Sequence, residues 1–280
     1  MEDVLKIIIC SILSILLLSS NLYSKSNRVI YFTPLPMKKT KKNVKDFLPL
    51  VDFLKKSIGI EIKFNNKNDY ADILKGFENQ TIDMAFLGPL PYAVLKSQYP
   101  YIKPIVSFKQ KNGSIHYRCV LSKFAKDTID TSKPLKIALT QPLSTCGYFM
   151  SKKLLKETYN VKLKNQYYKY TMSHTNAILG ALKGEFDLAG STEMIANKFK
   201  SLGMQIVAKS ELLPGFSIVV NTKTLSKKEI QQITNSLLKI SDVEFKQWGG
   251  ETKYGLKKAN INLYNNLKLD YKIPKKGNML

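Results

Sequence analysis

From Val29 onward, short apolar runs rich in β-branched and aromatic residues alternate with longer stretches whose apolar positions recur every three or four residues: VIYF, VKDFLPLVDFLKKSIG, IEIKF, YADILKGFEN, IDMAFLG. A strand period followed by a helix period, repeated, predicts an α/β chain with a mostly parallel sheet and helices on both faces. The helix from about Val44 sets Phe47, Leu48, Val51 and Leu54 on one face and stops near Gly59, a residue suited to a helix C-terminus. Asn68 or Asp69 can cap the next helix, which leaves Tyr70 in its first turn.

The pattern then returns. Ile73-Leu74-Lys75-Gly76 leading to Ile82-Asp83-Met84-Ala85 resembles Ile178-Leu179-Gly180-Ala181 leading to Phe186-Asp187-Leu188-Ala189. Each copy is a helix, a turn and a short strand, followed by a glycine-containing turn (Gly88-Pro89, Gly190-Ser191-Thr192) and another helix. Two lobes built on one βαβ plan produce such a repeat, although ordinary helix–strand units share enough periodicity to imitate it. Between the copies lies 115–122 (IHYRCVLS), and after the second lies 216–221 (FSIVVN); both read as extended chain that can form a two-strand hinge. The chain divides accordingly into a leader over 1–24, a first lobe over 25–115, a second lobe with the hinge strands over 116–221, and C-terminal helices over 222–280 that return to the first lobe. Trp248 reads as a core or rim residue of that returning segment.

The leader carries an apolar run from Ile7 to Leu18 and then Ser19, Ser20, Asn21 and Ser24, the layout of a secretory signal peptide. That run is shorter than the roughly 20 residues a membrane helix needs. Cys10 lies inside it, so the exported chain keeps Cys119 and Cys146. The net charge of +23 is almost wholly lysine, with Arg28 and Arg118 the only arginines. Nucleic-acid reading favours planar guanidinium groups, so no nucleic-acid partner is expected. The cluster Lys38, Lys39, Lys41, Lys42 and Lys45 can still steer anions toward a nearby cleft. His116, His174 and the two cysteines are too scattered for a metal site, and no cofactor is expected. No nucleophile, base and orienting group form a catalytic set, which argues against an enzyme.

The stretch 136–148, KIALTQPLSTCGY, reads as a buried strand, a turn, and a helix opening with Ser144, Thr145, Cys146 and Gly147. The first N–H groups of a helix lack partners and its dipole is positive there, so such an end can hold a small oxyanion without arginine. On these residues alone a plain N-cap is the simpler account. Taken together, FLPLVDFLKKSIG, NDYADILKGFENQTIDMAFLGPLPYAVL, LSTCGY, SHTNAILGALKGEFDLAG and LPGFSIVVN make the chain resemble the periplasmic substrate-binding proteins for phosphonate, phosphite and phosphate of ABC importers.

The resemblance covers essentially the whole mature chain. It implies a two-lobe type II periplasmic-binding-protein fold, each lobe a mostly parallel sheet flanked by helices, closing on a two-strand hinge. It also implies a tetrahedral anion at a helix that opens Ser-Thr-Ser-Gly in the family and Ser144-Thr145-Cys146-Gly147 here. The family's cleft tyrosines and histidine carry over onto Tyr70, Tyr92 and His174, and Gly88 joins them from the turn before Tyr92. The implied partners are a small oxyanion and an inner-membrane permease, and the implied form is a periplasmic monomer, either free or tethered by an uncleaved N-terminus.

Two departures stand out. A family position that often holds an acid, pairing the amine of aminoalkyl phosphonates, is Phe216 here. An apolar residue there would leave an ammonium unpaired, at a cost of several kcal/mol. The expected ligand is therefore phosphate, phosphite or a small alkyl phosphonate. Cys146 replaces the second serine. It can pair with Cys119 in an oxidising compartment, stay an unreactive thiol, or offer a soft ligand to arsenite. That last possibility defines an alternative, a sensor component that presents arsenite, arsenate or phosphate to a kinase.

Overall fold

A computed structural model describes residues 28–37, 40–250 and 252–265. The leader expected over 1–24, together with Lys38, Lys39 and the chain after 265, lies outside the described residues. The first apolar runs form β1 (Val29–Thr33), β2 (Glu61–Phe64) and β3 (Met84–Leu87), paired in parallel and joined by α1 (Thr40–Ile58) and α2 (Tyr70–Glu78). α1 buries Phe47, Leu50, Val51 and Leu54. Leu48, placed on that face by the sequence, is 44% exposed. With 3.6 residues per turn it stands about 100° away from Phe47, off the stripe that Leu50 completes. Gly59 ends the helix at φ +68° with its N–H bonded to the Lys55 carbonyl, and Asp69 caps α2 by accepting from the Asp72 amide.

The chain continues through α3 (Pro89–Gln98) and β4 (Ile102–Phe108) to the short β5 (His116–Tyr117). The second lobe holds β6 (Cys119–Phe124), β7 (Lys136–Leu139), a π-helical turn (Thr145–Met150) running into α4 (Ser151–Tyr159), and β8 (Tyr167–Tyr170). It is completed by α5 (His174–Leu182), β9 (Leu188–Thr192), α6 (Glu193–Lys198) and β10 (Met204–Lys209). The return passes β11 (Leu213–Pro214) into β12 (Ser217–Asn221), α7 (Lys227–Leu238), α8 (Asp242–Gln247), β13 (Leu256–Lys258) and α9 (Ile261–Asn265). Trp248, after α8, is buried against Phe53 and Phe245.

One sheet has the order β13-β4-β12-β3-β1-β2, the other β10-β6-β9-β7-β8, and β5 pairs with β11 in a two-stranded ribbon. Both large sheets are mixed rather than mostly parallel. β12 and β4, and likewise β6 and β10, run antiparallel to their neighbours because they carry the chain out of one lobe and back. Ser217–Asn221, grouped from the sequence with the second lobe and its hinge, is an interior strand of the first sheet with all five residues buried. The two-strand ribbon between the lobes is β5 with β11.

The internal repeat is carried by shared contacts. The Asp83 carboxylate accepts from the Tyr31 amide (2.7 Å), and the Asp187 carboxylate accepts from the Lys136 amide (2.6 Å), in each case tying the β-strand to the strand after the helix. Gly76 packs on Ile82 and Gly180 on Phe186, each six residues ahead. No helix among the described residues is long and apolar enough to cross a membrane.

Candidate functional site

Because both lobes follow the strand–turn–helix plan, their helix N-termini face one another across the cleft, where open α/β sheets take ligands. α2 starts at Tyr70, α3 has Gly88 as N-cap, the π turn is capped by Ser144, α5 by Ser173 just before His174, and α6 by Thr192. Tyr70, Gly88, Ser144, His174 and Thr192 all line one small cavity of about 10 Å³, with Thr145, Cys146, Tyr117 and Phe216. Its wall contains no lysine, arginine or acid. Five positive helix ends, each equivalent to roughly half an elementary charge, therefore converge on a small space without charged side chains.

The loop after β7 sets the most direct contacts. The Tyr148 and Phe149 amides both reach the Ser144 carbonyl (3.2 and 3.1 Å), which opens the helix as a π turn. Such turns recur at functional sites. Ser144 Oγ accepts from the Gly147 amide at 3.0 Å. That bond occupies the Gly147 N–H, and Gly147 is not part of the cavity wall. Its contribution is space, since a Cβ there would fall 1.9 Å from Thr140 Oγ1. The Thr145 and Cys146 amides, in the first turn, have no acceptor within the helix, and both residues line the cavity.

Thr145 joins the lobes. Its Oγ1 accepts from the Leu90 amide of α3 at 3.1 Å, and its hydroxyl bonds to that of Tyr117. A serine- and threonine-lined helix start thus meets a second helix start with a hydroxyl oxygen as the shared acceptor. Gln141 Nε2 adds a bond to the Pro36 carbonyl at 2.9 Å.

Burial raises the Tyr70 and Tyr117 hydroxyls well above the usual phenol range. Their proximity adds to this for Tyr70, and the Thr145 bond opposes it for Tyr117. Both remain protonated, donors that bring no charge. His174 is pushed down to about 4 by burial, against the opposing effect of a bond to the Gly190 backbone. Its Nδ1 is buried without a hydrogen-bond partner among the described residues. The ring is neutral near pH 7 with its one N–H given to the Gly190 carbonyl, so Nδ1 carries a lone pair and can only accept.

Tyr92 is not in the wall. It sits a full turn past the Gly88 cap, with its amide bonded to the Gly88 carbonyl, and its ring packs edge-on to Tyr264 at 5.3 Å. Burial pushes its hydroxyl up to about 12. Tyr117 occupies the cleft instead. The sequence showed it only as one position in an extended hinge run, and the available signal was its period-two spacing from Cys119, with which it packs beside Cys146.

Cys119 and Cys146 form a disulfide with their Cα atoms 4.8 Å apart. The bridge ties the π turn to the first residue of β6, next to the inter-lobe ribbon. It also removes the sulfur from any ligand role, so Cys146 can offer the cavity only its backbone. Phe216 stacks on Phe86 (4.8 Å, 6°) and tilts against Tyr117. Gly88 makes room for it, since a Cβ there would come to 3.0 Å from the Phe216 ring. Among the described residues no group of three His, Cys, Asp or Glu could hold a metal ion.

Comparison with known proteins places this geometry. The family model described as "ABC transporter, phosphonate, periplasmic substrate-binding protein" matches residues 32–263. The Phosphate-import protein PhnD of Mycolicibacterium smegmatis is 29% identical over 105 residues, 36% of this chain and 33% of that protein, so the chain spans about a third of the length of this curated relative. A binding protein component of an ABC phosphonate transporter from Pseudomonas aeruginosa superposes with a TM-score of 0.71 at 18% identity, covering 84% of this chain and 83% of that one. PhnD1 from Prochlorococcus marinus, solved in complex with methylphosphonate, gives 0.70 at 16% identity over 86% and 96%. At such identities the two structures speak for the fold, and the family model, spanning both lobes and the cavity between them, carries the assignment: the chain belongs to the periplasmic substrate-binding proteins of ABC phosphonate transporters.

Proposed function

We propose that this protein captures a phosphorus oxyanion without an amine (phosphate, phosphite or an alkyl phosphonate) in the periplasm and delivers it as a monomer to an inner-membrane permease. Members of the family are transport components that bind substrate outside the cytoplasm rather than enzymes. The observation that carries the reading is the uncharged cavity ringed by five helix N-termini. In it the Ser144 and Thr145 hydroxyls, the Thr145 and Cys146 amides, Tyr70 and Tyr117 would donate to the anion, and the His174 Nδ1 lone pair would accept from a protonated anion oxygen. Charge-assisted hydrogen bonds are worth roughly 1.5–3 kcal/mol each. Four or five of them, less the cost of ordering and closure, account for micromolar binding at about 8 kcal/mol.

The cavity has room for about one water-sized group, so entry of a tetrahedral anion requires the lobes to part and the Leu90–Thr145 bond to yield. Closure over the anion would then create the surface the permease recognises. The Cys119–Cys146 bridge fits an oxidising compartment and leaves the arsenite reading without its thiol.

Calorimetric titration of the signal-less protein tests the amine argument. Methylphosphonate or phosphite should bind at least tenfold more tightly than 2-aminoethylphosphonate, because the stacked Phe216 offers an ammonium no partner. Tighter binding of the aminoalkyl compound would show that another group receives the amine and would overturn the assignment of ligand class.

A further inference from the structure

Beside the small cavity lies a larger one of about 330 Å³. The two share Tyr117, His174, Thr192 and Phe216 as a common wall, so they are adjacent, and a group attached to an anion in the first would reach the second once the lobes part and these four side chains move aside. Phosphate or phosphite has nothing to place there. The volume falls in the range of pockets that enclose organic ligands, which are largely apolar with a few polar groups. Met37, Met194 and Ile195 add to the Phe216 and Tyr117 rings to make an apolar surface, and Gln110, Asn112, Ser173, Thr175 and Asn197 set polar groups around it.

The charged groups at this cavity are already engaged or lie at its rim. The Glu193 carboxylate is paired with Lys209 Nζ at 2.6 Å, the Arg118 guanidinium donates to the Ser210 carbonyl, and Lys111 is exposed. An ammonium-bearing substituent would have to compete with Lys209 for Glu193. An uncharged, apolar one meets matching walls.

Taking the small cavity as the anion site, we infer that the ligand is an organophosphonate whose uncharged apolar substituent, at least as large as a phenyl ring, lies in this second cavity. The preference separates it from phosphate, phosphite and methylphosphonate, which leave the space to water.

Calorimetric titration of the signal-less protein with methylphosphonate and phenylphosphonate tests this. Phenylphosphonate should bind at least tenfold more tightly. Met194→Trp, which narrows the second cavity at a residue outside the anion cavity, should abolish that preference while leaving the methylphosphonate affinity within about twofold. Asn197→Trp, at an exposed position of the same wall, serves the same purpose if the first variant does not fold. Equal or weaker binding of phenylphosphonate, or a preference that survives in both tryptophan variants, would overturn the inference while leaving the anion site intact. Binding of neither phosphonate would overturn the anion site itself.

Discussion

Removing the Cys119–Cys146 bridge, by reduction or by the double change Cys119→Ser and Cys146→Ser, is expected to lower stability by about 3 kcal/mol. The bridge closes a loop between residues 27 apart in sequence, and a loop of that size restricts the unfolded chain by about this amount. For a chain of this length the melting temperature should fall by on the order of 10 °C. Both cysteines are at most 2% exposed, so the serine hydroxyls would add a cost from burying polar groups, and the reduced wild type is the cleaner comparison. The functional effect should exceed what stability alone predicts, because the bridge anchors the π turn to β6 where the chain leaves the ribbon. Phosphonate affinity measured well below the melting temperature should weaken by tenfold or more. A melting temperature within 2 °C of the oxidised protein, with affinity unchanged, would show that packing of Tyr117, Met150 and Leu213 holds the turn unaided.

Gly147→Ala is expected to abolish measurable phosphonate binding. The new methyl would sit 1.9 Å from Thr140 Oγ1, 2.5 Å from Cγ2 and 2.6 Å from Cβ, and since that group includes the branch point of the side chain, no rotation of Thr140 relieves it. Either the π turn or the end of β7 must move. Overpacking of this kind costs about 1–3 kcal/mol, so the variant should fold while losing the placement of the Ser144 cap and of the Thr145 and Cys146 amides. Thr140→Gly in the same chain removes all three clashing atoms and should recover much of the affinity, a coupling that a double-mutant cycle measures. Gly147→Ala binding like the wild type would mean that the turn geometry is not what holds the anion.

Much of this site is written in local sequence. Ser144 caps its helix and Asp69 caps α2 because short polar side chains reach the N3 amide, a feature visible in a handful of consecutive residues. Gly88, Thr145, Cys146, His174 and Tyr70 sit at helix starts that the change from strand to helix period announces, so their arrival at one cavity follows from the α/β plan. What the pattern lacks is direction between lobes. Tyr92 and Tyr117 are both tyrosines in or near predicted elements, and only the rotation of α3 toward α9 and the pairing of β5 with β11 decide which one faces the cleft. The same limit hides the antiparallel strands. FSIVVN reads as extended chain whether it crosses between lobes or lies inside a sheet, and its place as an interior strand is decided by its ladder neighbours β3 and β4. The two cysteines likewise become partners only when β6 and the π turn are brought together.

The most direct test of the convergent helix N-termini as an anion site is a crystal structure of the signal-less protein grown with methylphosphonate. The phosphonate oxygens should lie within hydrogen-bond distance of the Ser144 hydroxyl and the Thr145 and Cys146 amides, with Tyr70, Tyr117 and His174 closing around them. A phosphonate found only on surface lysines such as Lys41 and Lys42, with the π turn unoccupied, would contradict the account.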